Sequence, residues 1–218
     1  MTSLRHCALP ILLVLLALFA TIAGPVSFVR AQAVSAPAPG VELHGRALLA
    51  ALRAGGFVLY FRHTSTDFGQ NDERMTGYED CSTQRNLTDA GRAEARAIGA
   101  EIRELGIPIG EVLASPFCRT METARLIFGR ASATPAVRGG SAQPDSPARY
   151  AALRELLATP VPHGTNVAIA SHGNPFRAVV GGTYLAEGEA AVVEPRGAEG
   201  FRVVARVRKD EWKDLPAR

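Results

Sequence analysis

Apolar and polar residues alternate along the chain in segments that predict strands and helices in turn. Residues 57–61 and 166–170 are short apolar runs, typical of strands that are buried on both faces. Residues 88–105 carry apolar side chains at helical spacing, and Thr88 can cap this helix. Strands and helices that alternate in this way indicate an α/β protein.

The other elements predicted by the pattern complete this architecture. Further helices are expected at residues 41–54, 120–128 and 150–157, and further strands at residues 112–114, 190–193 and 201–207. Residues 66–85 are polar and predict a long loop, which is often a functional segment. We therefore expect a three-layer α/β fold, with a mostly parallel central sheet and helices on both faces.

The first residues of the chain have the layout of a secretory signal peptide. Arg5 precedes an apolar stretch over residues 8–23, and Ala31-Gln32-Ala33 offers the small residues that a signal peptidase recognises. An uncleaved membrane anchor is the alternative, but the run is short for a bilayer span and contains Pro10. We expect cleavage after Ala33, with no stable membrane span afterwards.

Cleavage would leave a periplasmic or secreted protein with one functional domain. The signal peptide is predicted at residues 1–33, a flexible leader at residues 34–40, and a single domain at residues 41–218. Residues 1–33 hold two arginines and no acidic residue, so their removal lowers the formal charge from +3 to +1. The small charge and the lack of a basic cluster argue against a nucleic-acid partner.

The cysteines do not indicate a metal site. The chain has three cysteines, without the spacing of a structural zinc site, and we predict no metal. Cys7 would leave with the signal peptide, and Cys81 and Cys118 would remain. In an oxidising compartment these two could form a disulfide or stay as two partly buried thiols. The sequence leaves both alternatives open.

Histidine and arginine side chains follow three of the predicted strands. Arg62-His63 follows the first strand, Ser115 to Arg119 follows the second, and Ser171-His172 follows the strand at residues 166–170. Ligands bind beyond the carboxyl ends of parallel strands, so these side chains should share one crevice. A neutral imidazole can attack phosphorus, and the planar arginine fork matches phosphate oxygens. This arrangement favours phosphoryl transfer.

Four motifs in this chain resemble those of the histidine phosphatase superfamily, also called phosphoglycerate-mutase-like. They occur in the family's order, within residues 56–201. They are Arg62-His63-Thr64, Leu87-Thr88-Asp89-Ala90-Gly91, the run from Ser115 to Ala124 (SPFCRTMETA), and His172-Gly173. The chain departs from the family pattern at Thr64, where the family has glycine.

The resemblance implies a phosphoglycerate-mutase-like fold and a catalytic site that needs no metal or cofactor. By resemblance, His63 is the nucleophile that becomes phosphohistidine, and Arg62, Arg119 and His172 complete the phosphate pocket. Thr64 would add a side chain near that pocket, and we expect its hydroxyl to be tolerated or to donate a hydrogen bond to substrate.

The general acid that protonates the leaving group is harder to predict. An acidic residue directly after the second histidine is excluded, because Gly173 stands there. The candidates are Asp67, Glu155 and Glu189, and we favour Glu189 as the catalytic acid, with Asp67 next. Arg85 could reach substrate, although it could equally stabilise its own loop.

The function predicted from the sequence is that of an exported phosphatase. It would hydrolyse phosphomonoesters through a phosphohistidine on His63, acting on a phosphorylated small molecule or an envelope sugar phosphate. The alternatives are a catalytically silent module that binds phosphate or phosphoglycan and, with less support, a mutase.

Overall fold

The computed structural model of the chain describes residues 42–138 and 147–216. The predicted signal peptide at residues 1–33 and leader at residues 34–40 lie outside the described residues. Within the described part, no helix is long and apolar enough to cross a membrane.

The centre of the fold is a six-stranded mixed sheet. Its strands are β1 (Val58–Arg62), β2 (Ile109–Ala114), β3 (Ser132–Ala133), β4 (Asn166–Ser171), β5 (Ala190–Pro195) and β6 (Phe201–Val207). The strand order is β3-β2-β4-β1-β5-β6. The first four strands in this order pair in parallel, whereas β5 runs antiparallel to both β1 and β6. The predicted α/β fold is confirmed, with an antiparallel pair at one edge.

Helices cover both faces of the sheet. They are α1 (Gly45–Ala54), α2 (Asp89–Glu104), α3 (Cys118–Phe128), α4 (Ala151–Ala158) and α5 (Gly173–Val180). On β1, Leu59 and Phe61 pack into a core with α1, α2 and α3. Val58 and Tyr60 point to the opposite face, into a core with α4 and α5. The continuous apolar run of β1 thus supplies two cores at once.

Two elements were not predicted from the sequence, and each lacks the signal on which the prediction depends. Strand β3 has two residues, Ser132 and Ala133, too few to show a periodicity. Helix α5 has eight residues, opens with Gly173 and contains Pro175. Proline is tolerated there because the first turn of a helix leaves its N–H groups without intrahelical partners.

The start of α2 fixes the loop that follows β1. The Thr88 hydroxyl accepts a hydrogen bond from the Gly91 N–H at 2.9 Å, and the Thr88 N–H donates to the Ser65 carbonyl at 3.0 Å. A Cβ atom at Gly91 would lie far inside van der Waals contact of that same carbonyl oxygen. Glycine at this position therefore lets α2 pack directly on the backbone beside His63.

Candidate active site

The carboxyl ends of three parallel strands meet at one edge of the sheet. Arg62 of β1 lies in register with Ser171 of β4, and Ala114 of β2 lies in register with Ala170 of β4. The residues that follow these strands are therefore neighbours. The ring centroids of His63 and His172 are 5.7 Å apart. The structure brings together the two histidines on which the sequence interpretation rests.

His63 is buried and held in one tautomer. Its side chain is 2% exposed, and its Nδ1 lies 2.9 Å from the Thr64 carbonyl oxygen, to which an Nδ1–H group donates. This contact leaves the lone pair on Nε2. Burial, together with the charges of the nearby arginines, lowers the pKa of His63 to about 3, against the opposing effect of the Thr64 hydrogen bond. The ring is therefore neutral at physiological pH, with Nε2 available as a nucleophile.

His172 is also buried as a neutral ring. Burial holds its pKa well below the usual value, and the charge on Arg119 acts in the same direction. Its Nε2 lies 2.9 Å from the Ser115 hydroxyl oxygen, and its backbone carbonyl accepts from the Tyr60 hydroxyl at 2.8 Å. These contacts fix His172 at the N-cap position of α5, where its ring lies beside that of His63.

Both histidines line a cavity of about 240 Å³ that is rich in arginine. Five arginines and three aromatic side chains contribute to its wall, and no aspartate or glutamate does so among the described residues. The arginines are Arg62, Arg85, Arg119, Arg138 and Arg149. A wall of this charge suits an anionic ligand.

Three of these arginines carry buried donors that no neighbour satisfies. The Nε atoms of Arg62, Arg85 and Arg119 are buried, and none has a hydrogen-bond partner among the described residues. A buried N–H group without a partner costs free energy unless something else accepts from it. Arginine side chains that line one cavity with two neutral imidazoles form a binding site for a tetrahedral oxyanion such as phosphate.

A carboxylate from the long loop braces Arg119. Asp72 accepts hydrogen bonds from both terminal nitrogens of Arg119, each at 3.0 Å, and from the Arg85 N–H at 2.9 Å. Burial opposes ionisation of Asp72, but the hydrogen bonds from Arg119 and Arg85 outweigh it and lower the pKa of this carboxyl. Asp72 is therefore ionised, and it fixes the plane of the Arg119 guanidinium.

Glu187 lies closer to the candidate nucleophile than the predicted general acid does. Its Oε1 atom is 3.5 Å from an Arg62 terminal nitrogen and 3.8 Å from His63 Nδ1, and it accepts from the Thr66 hydroxyl at 2.7 Å. Glu187 lies just before the antiparallel strand β5. From the sequence, only Glu189 in that segment was considered as a general acid. Glu187 and Asp72 are both site residues that the sequence did not indicate.

Two of the three carboxylates predicted as general acid have other partners, and the third is exposed. Glu189 is paired with Arg206 at 2.7 Å and also accepts from the Ala186 N–H at 2.6 Å. Asp67 accepts from the Gly69 N–H at 2.8 Å within its own loop. Glu155 is exposed on α4. The assignment of Glu189 as the acid stays a prediction, and its carboxylate lies against Arg206 rather than His63.

Thr64 does not line the cavity. It is fully buried, its N–H donates to the Thr123 hydroxyl at 3.3 Å, and the two hydroxyl oxygens are 3.4 Å apart. The side chain that replaces the family's glycine therefore packs on α3 and leaves the cavity clear. Arg85 lines the cavity. This position fits the first of the two alternatives for Arg85, in which its side chain reaches substrate.

A disulfide fastens the long loop to α3. Cys81 and Cys118 are bonded, with their Cα atoms 5.7 Å apart, so the structure selects one of the two alternatives left open by the sequence. Beside the disulfide, the Cys118 N–H donates to the side-chain oxygen of Gln84 at 3.0 Å. The buried Gln84 amide in turn donates to the Tyr78 carbonyl at 3.1 Å. The loop that carries Asp72 and Arg85 is thus tied to the helix that carries Arg119.

A metal centre is not indicated by the side chains that the structure describes. Within residues 42–138 and 147–216, no three His, Cys, Asp or Glu side chains group together as metal ligands. The cavity wall of arginine and neutral histidine is suited to anions instead.

Comparison with known proteins connects this geometry to a family. Residues 58–140 match the family model of the histidine phosphatase superfamily (branch 1). Among solved structures, the protein histidine phosphatase SixA complexed with tungstate is 17% identical, covers 70% of this chain and 97% of its own, and gives a TM-score of 0.50. A mycobacterial glucosyl-3-phosphoglycerate phosphatase with inorganic phosphate is 16% identical, covers 71% and 99%, and gives 0.51. At these identities the two structures show a shared fold. A search of curated proteins found no match.

Proposed function

We propose that the chain, whose residues 58–140 match the family model of the histidine phosphatase superfamily, hydrolyses phosphomonoesters through a phosphohistidine on His63. One observation carries the proposal: two buried neutral imidazoles share a cavity with three buried guanidinium N–H groups that have no partner among the described residues. Neutral rings can attack or hydrogen-bond a phosphoryl group, and the guanidinium groups can neutralise its oxygens.

Substrate binding places the phosphoryl group between the histidines. Arg62, Arg85 and Arg119 donate to its equatorial oxygens through guanidinium N–H groups, and His172 hydrogen-bonds to the same phosphoryl group. Asp72 and Glu187 do not line this cavity; they hold Arg119 and Arg62 in place from behind. Such rigid positioning supplies most of the catalysis that phosphoryl transfer needs.

The chemistry proceeds in two balanced steps. In the first, the lone pair of His63 Nε2 forms a bond to phosphorus while the bond from phosphorus to the leaving oxygen breaks, and that oxygen takes a proton from a carboxylic acid, the general acid. The Thr64 carbonyl holds the Nδ1 proton of His63 throughout. In the second, the carboxylate left by the first step takes a proton from a water molecule whose oxygen attacks phosphorus, the P–N bond breaks, and phosphate leaves with His63 restored as a neutral imidazole.

We further infer that the protein is exported. The support is the sequence of residues 1–33, with Arg5 before the apolar run and Ala31-Gln32-Ala33 at its end. Export would place the single domain of residues 41–218 among phosphorylated small molecules or sugar phosphates of the cell envelope. Mass spectrometry of the protein recovered from its own cells should find an N-terminus at Val34 or close to it; an intact Met1 would contradict export by cleavage.

A labelling experiment tests the proposed phosphatase. The purified protein is mixed with an activated aryl phosphate, and the trapped intermediate is analysed for acid-labile phosphohistidine. We expect hydrolysis and labelling by the unaltered protein, and neither by the His63→Ala variant. His163→Ala is the matched control, because His163 is exposed outside the cavity and its loss should change neither result.

Two other outcomes would contradict the proposal in different ways. Hydrolysis that survives His63→Ala would show that another group is the nucleophile. Phosphate binding without hydrolysis or labelling would support the silent binding module instead.

A further inference from the structure

The side chain of Arg62 is held by an irregular segment, residues 183–187, between α5 and β5. One terminal nitrogen of Arg62 donates to the Leu185 carbonyl at 2.8 Å, and the other lies 3.5 Å from the Glu187 carboxylate. The guanidinium carbon of Arg62 also lies 5.0 Å from the centroid of the Tyr184 ring. Since all three contacts come from one segment, the orientation of Arg62 depends on the path of that segment.

A second arginine, Arg206 on β6, fixes this path. Its Nη1 donates to the Thr183 carbonyl and its Nη2 to the Tyr184 carbonyl, each at 2.9 Å. The next carbonyl along the chain is that of Leu185, which binds Arg62. The segment belongs to no helix or strand, so these side-chain contacts take the place of a backbone hydrogen-bond ladder.

Glu189 orients Arg206 toward the segment. Its side chain is buried, and its two carboxylate oxygens accept from Nε and Nη2 of Arg206 at 2.7 and 3.0 Å. A carboxylate bound in this two-pronged way fixes the plane of a guanidinium group. The same carboxylate accepts from the Ala186 N–H at 2.6 Å, so Glu189 also holds the segment directly.

A neighbouring ion pair on the same two strands has a different arrangement. Arg202 of β6 and Glu194 of β5 lie in register, and their charged groups are 2.8 Å apart. Arg206 lies in register with Ala191, yet its guanidinium binds Glu189, which precedes the strand. The Arg206–Glu189 pair therefore reaches beyond the paired strands and supports the segment before β5.

From these contacts we infer that Arg206 and Glu189 are positioning residues, which shape the segment so that the Leu185 carbonyl orients Arg62 for the phosphoryl group. The inference rests on the proposed phosphatase function, in which Arg62 binds that group. Neither Arg206 nor Glu189 lines the cavity, so both act through Arg62. This role of Glu189 involves no proton transfer to the leaving group.

Binding of tungstate, a tetrahedral oxyanion that is not hydrolysed, tests the inference in a double-mutant cycle. Isothermal titration calorimetry gives the dissociation constants of the unaltered protein, Arg62→Ala, Arg206→Lys and the double variant. Arg62→Ala should raise the constant at least about tenfold, because charge-assisted hydrogen bonds are lost. Arg206→Lys keeps the charge without the planar fork and should raise it about threefold to tenfold. The double variant should bind as weakly as Arg62→Ala alone.

Two further variants complete the design. Glu189→Gln releases Arg206 from its carboxylate and should weaken tungstate binding about as much as Arg206→Lys, again only while Arg62 is present. Arg202→Lys is the matched control, because it makes the same substitution on the same strand, in the pair that lies in register and does not line the cavity. Its dissociation constant should equal that of the unaltered protein, and circular dichroism checks that each titrated variant is folded.

The outcomes separate this inference from the proposed function. Unchanged affinity in both Arg206→Lys and Glu189→Gln, losses that add to that of Arg62→Ala, or an equal loss in Arg202→Lys would overturn the positioning role and leave the phosphatase intact. Affinity unaffected by Arg62→Ala would remove Arg62 from the phosphate site and the inference with it. Failure of the unaltered protein to bind tungstate would overturn the phosphate site and both proposals.

Discussion

At the scale of single residues, burial of two neutral histidines makes the fold sensitive to acid. In the unfolded chain a histidine has a pKa near 6.5, whereas burial lowers the pKa of His63 to about 3. Between these values the unfolded state binds a proton that the folded state does not. Stability is therefore complete above the unfolded pKa and falls as the pH drops toward the folded one.

This linkage predicts a shallower pH dependence of stability when His63 is removed. The free energy of unfolding of His63→Asn should change less steeply with pH between about 6 and about 4.5, by up to about 1.4 kcal/mol per pH unit. Urea unfolding at several pH values measures the slope. The exposed His163 is the control, and an unchanged slope in His63→Asn would show that His63 titrates normally in the folded protein.

The two neighbouring glutamates should respond differently to conversion to their amides. Glu187 lies nearest to Nδ1 of His63, the nitrogen that does not attack, so Glu187→Gln should lower kcat to a similar degree for aryl phosphates with good and poor leaving groups. Glu189→Gln breaks the partly buried pair with Arg206 and should lower the free energy of unfolding by about 1.5 to 3 kcal/mol, with little dependence of rate on leaving group.

Measurement of kcat across a series of leaving groups separates the two glutamates. A selective loss on poor leaving groups in Glu189→Gln would confirm the sequence-based prediction that Glu189 is the general acid. The same selective loss in Glu187→Gln would assign that role to Glu187.

Several site residues could be predicted from the sequence because they follow strands or belong to motifs. His63, Arg62 and His172 directly follow apolar runs, and Arg119 stands in a spaced motif. Asp72 and Arg138 have no such signal, since they lie in irregular segments whose path depends on tertiary contacts. Their place in the site is set by contacts to Arg119 and Phe117, which spacing along the chain does not reveal.

At the scale of elements, the disulfide is the covalent attachment of the long loop to α3. The bond from Cys81 to Cys118 closes a segment with a sequence separation of 37. Removal of the disulfide raises the conformational entropy of the unfolded chain. By the chain-entropy argument this should lower the free energy of unfolding by up to about 4 kcal/mol. Asp72 and Arg85 lie in the same loop, so the site should loosen as well.

Reduction should therefore lower both stability and activity. We expect reductant to decrease the melting temperature and to raise the KM for an aryl phosphate in the unaltered protein. The double variant Cys81→Ser, Cys118→Ser should behave like the reduced protein and should no longer respond to reductant. A KM unaffected by reduction would show that Gln84 and Asp72 hold the loop without the disulfide.

The close approach of α2 to the backbone of Ser65 predicts a strict requirement for glycine at position 91. Gly91→Ala forces the Ser65 carbonyl away, which should cost about 1 to 3 kcal/mol of stability and lower kcat through the adjacent loop after His63. Ala100→Gly, at an exposed position of the same helix, should cost about 1 kcal/mol and leave kcat unchanged. Equal effects on kcat would contradict the role of Gly91 in placing the loop.

At the scale of the whole molecule, positive charge is concentrated in one cavity. The full sequence has a formal charge of +3, yet five arginines line one cavity. This local positive charge attracts anions through the solvent, and dissolved salt weakens the attraction by screening. For a dianionic aryl phosphate, kcat/KM should fall several-fold between about 0.05 and about 0.5 M salt, with kcat nearly constant. A kcat/KM independent of salt would show that the cavity does not steer its substrate.

The antiparallel strand β5 changes where functional residues can be sought in a chain of this topology. Because β5 runs opposite to β1, its amino end lies at the edge where the parallel strands have their carboxyl ends. The Arg62 N–H donates to the Glu189 carbonyl at 3.0 Å, and the Gly188 N–H donates to the His63 carbonyl at 3.0 Å. The segment before β5 is thereby hydrogen-bonded to the backbone of Arg62 and of the nucleophile His63. A change of sequence in the turn before β5 would therefore affect the position of His63 as directly as a change in the loop that follows His63.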